Sequence, residues 1–314
     1  MEVKDFKILI TSSSFLGSEG KHTKLLHNNF HKLTFKEGPL NEEDLLEVFD
    51  EAFDGIICGD DQFSSKVLEK AKGGGLKVLS KYGTGLDKIN LNYCRENNII
   101  VKNCVGVNKT TVAEHVFALL LSTYKNIIDS INDSRKGIWK RRIGRDLSDK
   151  TIGIIGAGNI GKEVFQRSLA FNMNPIYFDS FLSEIKVGDK QYSSEKKLED
   201  LLKKSDIISL HLPLLSDTQN LIGTHNSEFL KPGVTIVNTS RGGIVNEEFL
   251  LNALDDGTVA NYLTDVLANE PEINPEFLKR NNFIITQHLG SRTIENIEKQ
   301  GLCAVKNLID NLIP

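Results

Sequence analysis

Midway along the chain, Thr151-Ile-Gly-Ile-Ile-Gly-Ala-Gly-Asn-Ile-Gly161 leads into a helical stretch and then a second apolar run that ends on Asp179. This segment constrains the fold more than any other, because it prescribes a strand, a glycine turn, a helix and a second strand in order. Thr151 to Ile155 is nearly all apolar, as a strand buried between two helical layers must be. Gly156 permits the tight turn, Gly158 lets a pyrophosphate approach the backbone, and Gly161 lets the helix pack close to the strand. The helix start offers unpaired N–H groups to the phosphates, with Asn159 and Ile160 in its first turn. Pro175 to Asp179 ends in a carboxylate about twenty residues on, where it accepts both adenosine ribose hydroxyls and repels a 2′-phosphate. The spacing predicts NAD rather than NADP.

A fold of this kind ordinarily begins with its first strand, so the residues before Thr151 belong mostly to something else. They alternate in pattern. Lys7 to Thr11, Gly55 to Cys58 and Leu76 to Ser80 read as strands; Asn41 to Phe53, with an Asn cap, and Ser64 to Ala71 read as helices. Strands alternating with helices imply a parallel sheet covered on both faces. From Asn108 to about Ser134 a single long helix is expected, bridging domains or burying a face in a dimer. After the fingerprint, Asp206 to Leu212, Val234 to Asn238, Val259 to Thr264 and Phe283 to Gln287 read as strands. Leu198 to Lys204, Glu247 to Leu254 and Thr293 to Leu312 read as helices.

The expected fold is α/β, with two doubly wound parallel-sheet domains, one flavodoxin-like and one Rossmann, and a cleft between them. Residues 1–103 would begin the substrate domain, 104–287 would form the NAD-binding domain, and 288–314 would return to the first.

Composition narrows the partners. A formal charge of −4 and a pI near 6.0 give no basic face for nucleic acid. The run Arg135 to Arg142 is the local exception, read as a solvated loop or a phosphate contact. Four cysteines, Cys58, Cys94, Cys104 and Cys303, show no metal-like spacing, so reduced thiols in a cytoplasmic protein and no metal are expected. The charged start, Met1 to Lys7, does not read as a signal peptide, and no apolar run is long enough for a membrane span.

Three polar groups follow strands in the second half and suit hydride transfer to a 2-oxo acid. Arg241 follows Val234 to Asn238, and its fork of donors suits a carboxylate. His288 follows Phe283 to Gln287 and offers a proton to a ketone oxygen as charge develops there. Glu270, in Asn269-Glu-Pro271, is placed to accept the other ring N–H of His288, fixing its tautomer and favouring its charged form. His211 and Pro213 sit at a strand end that would flank adenosine. His22, His27 and His31 read as solvated residues of an N-terminal helix, and His115 as a residue that caps or packs within the long helix.

The chain resembles the D-isomer-specific 2-hydroxyacid dehydrogenases, in particular their D-3-phosphoglycerate dehydrogenase-like branch. Besides the fingerprint, the resemblance rests on Lys81-Tyr-Gly-Thr-Gly-Leu-Asp87, Asn103-Cys-Val-Gly-Val-Asn108, Val112-Ala-Glu-His115, Leu210-His-Leu-Pro-Leu214, Asn238-Thr-Ser-Arg-Gly-Gly243, Asp265-Val266 with Glu270-Pro271, and His288-Leu-Gly290. It implies that Arg241, Glu270 and His288 are catalytic. It also implies that Asn159 and Ile160 contact the pyrophosphate and Asp179 the ribose, and that Leu212, Thr239 and Ser240 meet the cofactor through backbone groups. Asp265 and Gly290 would lie near the cofactor, and Tyr82, Gly83 and Thr84 would present N–H groups to the substrate carboxylate. A homodimer through the helix after Asn108 is implied as well.

Several residues depart from the family pattern. Val105 and Gln287 stand where proline is usual, Asn261 and Tyr262 where small residues are usual, and Leu267 where an aromatic is frequent. Gly59-Asp60-Asp61 replaces the arginine that meets a substrate phosphate, with Arg141 and Lys81 as the available compensation. The chain ends after its last helix, so regulation by serine through an appended domain is not expected. The expected activity is NAD-dependent interconversion of a 2-oxo acid and a D-2-hydroxy acid, with phosphoglycerate, hydroxypyruvate and glyoxylate chemistry all open. A dehydrogenase-like NAD(H) sensor that binds protein partners is the alternative from another class.

Overall fold

The computed structural model describes residues 5–312, so the first residues of the charged N-terminal segment lie outside it. Contacts divide the chain into two compact units, one running to Asn108 and resuming at Ser291, the other Lys109–Gly290. Sequence patterning places the crossings after residues 103 and 287. The contacts place them a few residues later, because Cys104 is fully buried in the first unit's core and the Gly290 N–H is bonded to Asp265 of the second.

The first unit runs β1 (Lys7–Ile10), α1 (Ser13–Leu16), α2 (Lys21–Asn29), β2 (Lys32–Phe35), α3 (Glu42–Val48), β3 (Gly55–Cys58), α4 (Ser65–Gly73), β4 (Val78–Lys81), α5 (Leu91–Glu96) and β5 (Ile100–Asn103). Its five strands are parallel in the order β2-β1-β3-β4-β5, the flavodoxin-like order. β3 and β4 are buried along their whole length; β3 meets this with an unbroken apolar run, and β4 by pairing its two polar residues, Ser80 with the Ala304 carbonyl and Lys81 with Asp60 and the Gly59 carbonyl. Asn41 and Ser64 cap α3 and α4 by accepting the N–H of Asp44 and Val67.

The second unit runs α6 (Lys109–Tyr124), α7 (Ile127–Arg135), β6 (Thr151–Ile155), α8 (Asn159–Ala170), β7 (Asn174–Phe178), β8 (Glu184–Val187), β9 (Lys190–Ser193), α9 (Leu198–Lys204), β10 (Ile207–Leu210), β11 (Val234–Asn238), α10 (Glu247–Asp256), β12 (Val259–Thr264), α11 (Pro275–Leu278) and β13 (Phe283–Ile285). Six parallel strands lie in the order β13-β12-β11-β10-β6-β7. β8 and β9 form a separate antiparallel hairpin. The chain then returns to the first unit as α12 (Ile294–Leu312), which packs on β3, β4 and α2.

Two expectations are corrected. The single helix from Asn108 is two helices, broken where Asn126 adopts a left-handed φ of 52°. The Tyr124 carbonyl there accepts the N–H of Arg145, so the chain returns against the break. α6 buries Ala113, Val116, Phe117, Leu119 and Leu120 in the core of its own unit, whereas α7 has no fully buried residue. His22 is not solvated. It is 1 % exposed, edge-on to Phe15 at 4.7 Å, in space left open by Gly301, where a β-carbon would sit 2.6 Å from the ring.

Candidate active site

In the second unit, every residue expected to meet cofactor or reacting atoms follows the C-terminal end of a strand. Read along the sheet, β13 is followed by His288, β12 by Asp265 and Glu270, and β11 by Thr239, Ser240 and Arg241. Then β10 is followed by His211, β6 by the glycine turn, and β7 by Asp179. With strands about 4.8 Å apart, this row spans about 24 Å, an edge suited to a long, extended ligand.

The fingerprint end is built by close approach. Gly161 is obligatory in α8, because a β-carbon would lie 2.0 Å from the Gly156 carbonyl oxygen. Gly156 has a φ of 92° and lies against the His211 carbonyl. Gly158, the N-cap of α8, has neither a capping side chain nor any atom within 4 Å of where a β-carbon would stand. The first N–H groups of α8, those of Asn159, Ile160 and Gly161, have no acceptor among the described residues, which is the cradle a pyrophosphate requires. Asp179 is tied to this turn: one carboxylate oxygen accepts the Ala157 N–H at 2.7 Å, and the other accepts those of Phe181 and Leu182 at 2.9 and 3.0 Å. The His211 imidazole pairs through Nε2 with the Ser209 hydroxyl at 2.8 Å, and burial pushes its pKa down to about 3, so it is neutral. Its Nδ1 and the Thr239 hydroxyl are buried and lack a partner among the described residues, which leaves polar groups at the strand ends for a bound molecule to satisfy.

At the other end, Glu270 and His288 are in contact. His288 Nδ1 donates to Glu270 Oε2 at 2.8 Å, while Oε1 accepts the Leu267 N–H at 2.9 Å. The ring and the carboxylate are each about one-third exposed. Arg241 sits one strand over, on a turn stapled by buried Asn238. The Asn238 amide donates to the Arg241 carbonyl at 2.7 Å, and its oxygen accepts both the N–H and the hydroxyl of Ser240. The Tyr262 hydroxyl accepts a second Asn238 N–H at 3.2 Å, which gives the large residue at that position a use. Gly242 presses the Arg241 turn onto the segment leading to Glu270: a β-carbon there would fall 2.0 Å from the Leu267 carbonyl carbon.

Asp265, 3 % exposed, accepts the N–H groups of Leu289 and Gly290 at 2.8 and 2.7 Å and the Thr286 hydroxyl at 2.5 Å. Burial pushes its carboxyl up, and bonds from His115, Thr286, Gly290 and Leu289 outweigh that effect, leaving it below the usual carboxylate range. His115, expected only to cap or pack, bonds the Thr286 hydroxyl at 2.8 Å. Asn238 and His115 were not expected at the site. A polar residue closing the apolar run Val234 to Val237 was the available signal for Asn238. For His115 the signal was weaker, a histidine beside the buried stripe of α6.

The first unit's strand ends are occupied by its own side chains. Asp61, 1 % exposed, accepts from the Thr11 hydroxyl at 2.5 Å and from the N–H groups of Leu40 and Gly59 at 2.7 and 2.9 Å. It is a structural pin rather than a charge offered to a ligand. Lys81, 5 % exposed, gives its ammonium to Asp60 at 2.6 Å and to the Gly59 carbonyl at 2.5 Å. In the following loop the Tyr82 N–H is taken by the Cys58 carbonyl at 2.8 Å. Those of Gly83 and Thr84 have no acceptor among the described residues. Of the basic run, Arg142 pairs with Asp129 and Asp133, and Arg141 is exposed.

Residues 117–290 match the NAD binding domain of the D-isomer specific 2-hydroxyacid dehydrogenases. The chain belongs to that family. The enzyme is 34 % identical to the glyoxylate reductase of Thermococcus litoralis, over 84 % of this chain and 82 % of that one. It is 32 % identical to the D-3-phosphoglycerate dehydrogenase of Methanocaldococcus jannaschii over 86 % of this chain, which spans 51 % of that relative. Its fold superposes on D-lactate dehydrogenase from Aquifex aeolicus, solved with NAD and lactic acid, with a TM-score of 0.81 and 26 % identity over 96 % of this chain and 93 % of that one. This dehydrogenase is therefore an NAD-dependent oxidoreductase acting on a 2-hydroxy acid or its 2-oxo counterpart. Among its described residues, no helix is long and apolar enough to cross a membrane.

Proposed function

We propose that the dehydrogenase acts on a small unphosphorylated 2-oxo acid, of the glyoxylate and hydroxypyruvate kind, and interconverts it with the D-2-hydroxy acid. The observation that carries this reading is the Lys81–Asp60 ion pair. A substrate phosphate brings a charge of about −1.5 to −2 near neutral pH. At the strand ends of the first unit the buried Lys81 ammonium is already bonded to Asp60, so a phosphate arriving there would meet a carboxylate of like sign in possession of that cation. A compact neutral side chain meets no such repulsion.

Bound NADH supplies the hydride to C2. In this reading His288 donates the proton to the carbonyl oxygen, and Glu270 holds the imidazole by Nδ1 so that Nε2 carries the proton to be given. Arg241 receives the substrate carboxylate on its fork, and Tyr82, Gly83 and Thr84 form the substrate loop, with the N–H groups of Gly83 and Thr84 as its donors. Gly156, Gly158, Asn159, Ile160 and Gly161 hold the pyrophosphate, and Asp179 holds the adenosine ribose. His211, Leu212 and Pro213 flank the adenosine, while Thr239, Ser240, Asp265 and Gly290 line the nicotinamide end.

The same reading includes a cytoplasmic location, supported by four unpaired cysteines, and a homodimer. For the dimer the support lies in α7 and the segment after it, where Ile127, Ile128, Ile131, Ile138, Trp139 and Ile143 are exposed, Trp139 by 89 %. Clustered apolar side chains of this kind mark association surfaces.

The test is a panel of glyoxylate, hydroxypyruvate, pyruvate and phosphohydroxypyruvate, followed by NADH absorbance. Glyoxylate or hydroxypyruvate should exceed phosphohydroxypyruvate in kcat/KM by on the order of tenfold or more, equivalent to about 1.4 kcal/mol. Asp60→Asn should narrow that gap by releasing Lys81. A preference for the phosphorylated acid in the unmodified enzyme would sink the reading, and tight NADH binding without turnover would point to a sensor.

A further inference from the structure

We infer that His115 is a positioning residue for proton transfer, acting on His288 through Thr286 and Asp265. The inference rests on the reading of His288 as the general acid. His288 has a φ of 53°, a left-handed conformation that a residue with a β-carbon does not keep without help from its surroundings. Gln287 before it has no ring to fix the backbone, so the geometry must be imposed by other contacts.

Asp265 imposes it. Its carbonyl accepts the His288 N–H at 3.0 Å, and its carboxylate accepts from Thr286, Leu289 and Gly290. Residues on both sides of His288 are thus tied to one buried side chain. Gly290 has no room for a side chain, since a β-carbon would stand 2.9 Å from Asp265 Oδ2 and 3.5 Å from the His115 ring.

The Thr286 hydroxyl has one proton, and it goes to Asp265. Its oxygen must therefore accept from His115 Nε2 at 2.8 Å, which fixes the His115 proton on Nε2. The same nitrogen lies 3.3 Å from Asp265 Oδ1. His115 is carried by α6, which is anchored by buried Val112, Ala113, Val116 and Phe117. A donor from a distant part of the chain thereby fixes a hydroxyl, the hydroxyl fixes a carboxylate, and the carboxylate fixes the backbone on which His288 meets Glu270. A displacement of about 1 Å at a reacting group costs on the order of a hundredfold in rate.

The test uses the whole enzyme with His115→Leu, which removes the donor; His115→Gln, whose amide N–H stands in for Nε2–H; and Thr286→Val, which removes the relaying hydroxyl but keeps the shape. His115→Leu and Thr286→Val should lower kcat about tenfold to a hundredfold with KM and NADH affinity changed no more than about twofold. In both, the alkaline limb of ketone reduction should move to lower pH as the Glu270 contact loosens. His115→Gln should recover most of the rate and the limb. A second readout is independent of activity: the NMR signal of the His288 Nδ1 proton bonded to Glu270 should persist in His115→Gln and vanish in His115→Leu. Wild-type kcat, pH limb and Nδ1 signal in both His115→Leu and Thr286→Val would overturn the inference. So would equal losses in His115→Leu and His115→Gln that track a drop in Tm, since that is packing alone. If instead His288→Ala keeps its turnover while His115→Leu loses the Nδ1 signal, the general-acid reading fails, and with it the part in proton transfer, while the hold of His115 on the His288–Glu270 contact stands.

Discussion

The two units are built on one plan, parallel sheets with strand ends gathered along one edge, and they use that edge in opposite ways. In the second unit the edge is left open. Gly158 has empty space above it, α8 has no capping side chain, and His211 Nδ1 and the Thr239 hydroxyl are unsatisfied among the described residues. In the first unit the side chains at that edge are taken up by its own groups, Asp61 on three donors and Lys81 on Asp60, and what lacks an acceptor among the described residues is backbone, the N–H groups of Gly83 and Thr84. A shared topology therefore says where a ligand can bind, and the side chains at the strand ends decide whether anything is left to bind it.

The largest effect is expected at His288. His288→Ala should lower turnover by on the order of a hundredfold to ten-thousandfold, the range of a general acid, with Tm little changed. Steady-state kinetics with the preferred 2-oxo acid check this, and near-normal turnover would mean that the open edge binds without reacting. Next come paired glycine variants of the open edge. Gly158→Ala has room and should fold normally while weakening NADH about tenfold or more in fluorescence titration, as a methyl enters the phosphate cradle. Gly161→Ala should fail to give a stable fold, since its β-carbon meets the Gly156 carbonyl. Equal behaviour of the two would contradict an edge kept open for a ligand.

On the closed edge, Asp61→Ala should act on stability. Leaving buried donors unsatisfied costs about 1–3 kcal/mol, to be read from denaturant midpoints, with NADH affinity unaffected. The smallest effect concerns pH. Asp265 has a lowered carboxyl pKa when folded, so its stabilising contribution is present above the unfolded value near 3.8 and fades as pH falls through the lower folded value. The Tm difference between wild type and Asp265→Asn should stay flat at higher pH and shrink below about 3.8. A difference that instead shrinks near neutrality would show that another group carries the dependence.

Legibility in the sequence followed burial. Thr151–Ile155, Val234–Asn238, Val259–Thr264 and Leu198–Lys204 fall on their expected bounds, because three are mostly apolar strands buried along most of their length and one is a short amphipathic helix. β2, β5 and the β8–β9 hairpin were missed. Their residues are half-exposed, mixed and short, and give no run or period to read. The Glu270–His288 contact was legible because both residues follow neighbouring strands. The inward turn of Asp61, the burial of His22 and the bonds of His115 were not legible, since each depends on a partner far along the chain that no local pattern announces.

Gly242 carries a consequence for descent. The turn bearing Arg241 and the segment leading to Glu270 touch backbone to backbone there, with no side chain between them to absorb a change. An insertion or a bulkier residue in either segment would displace both, so the two cannot drift separately. A change of chemistry at this edge therefore has to move the two segments together, as one block.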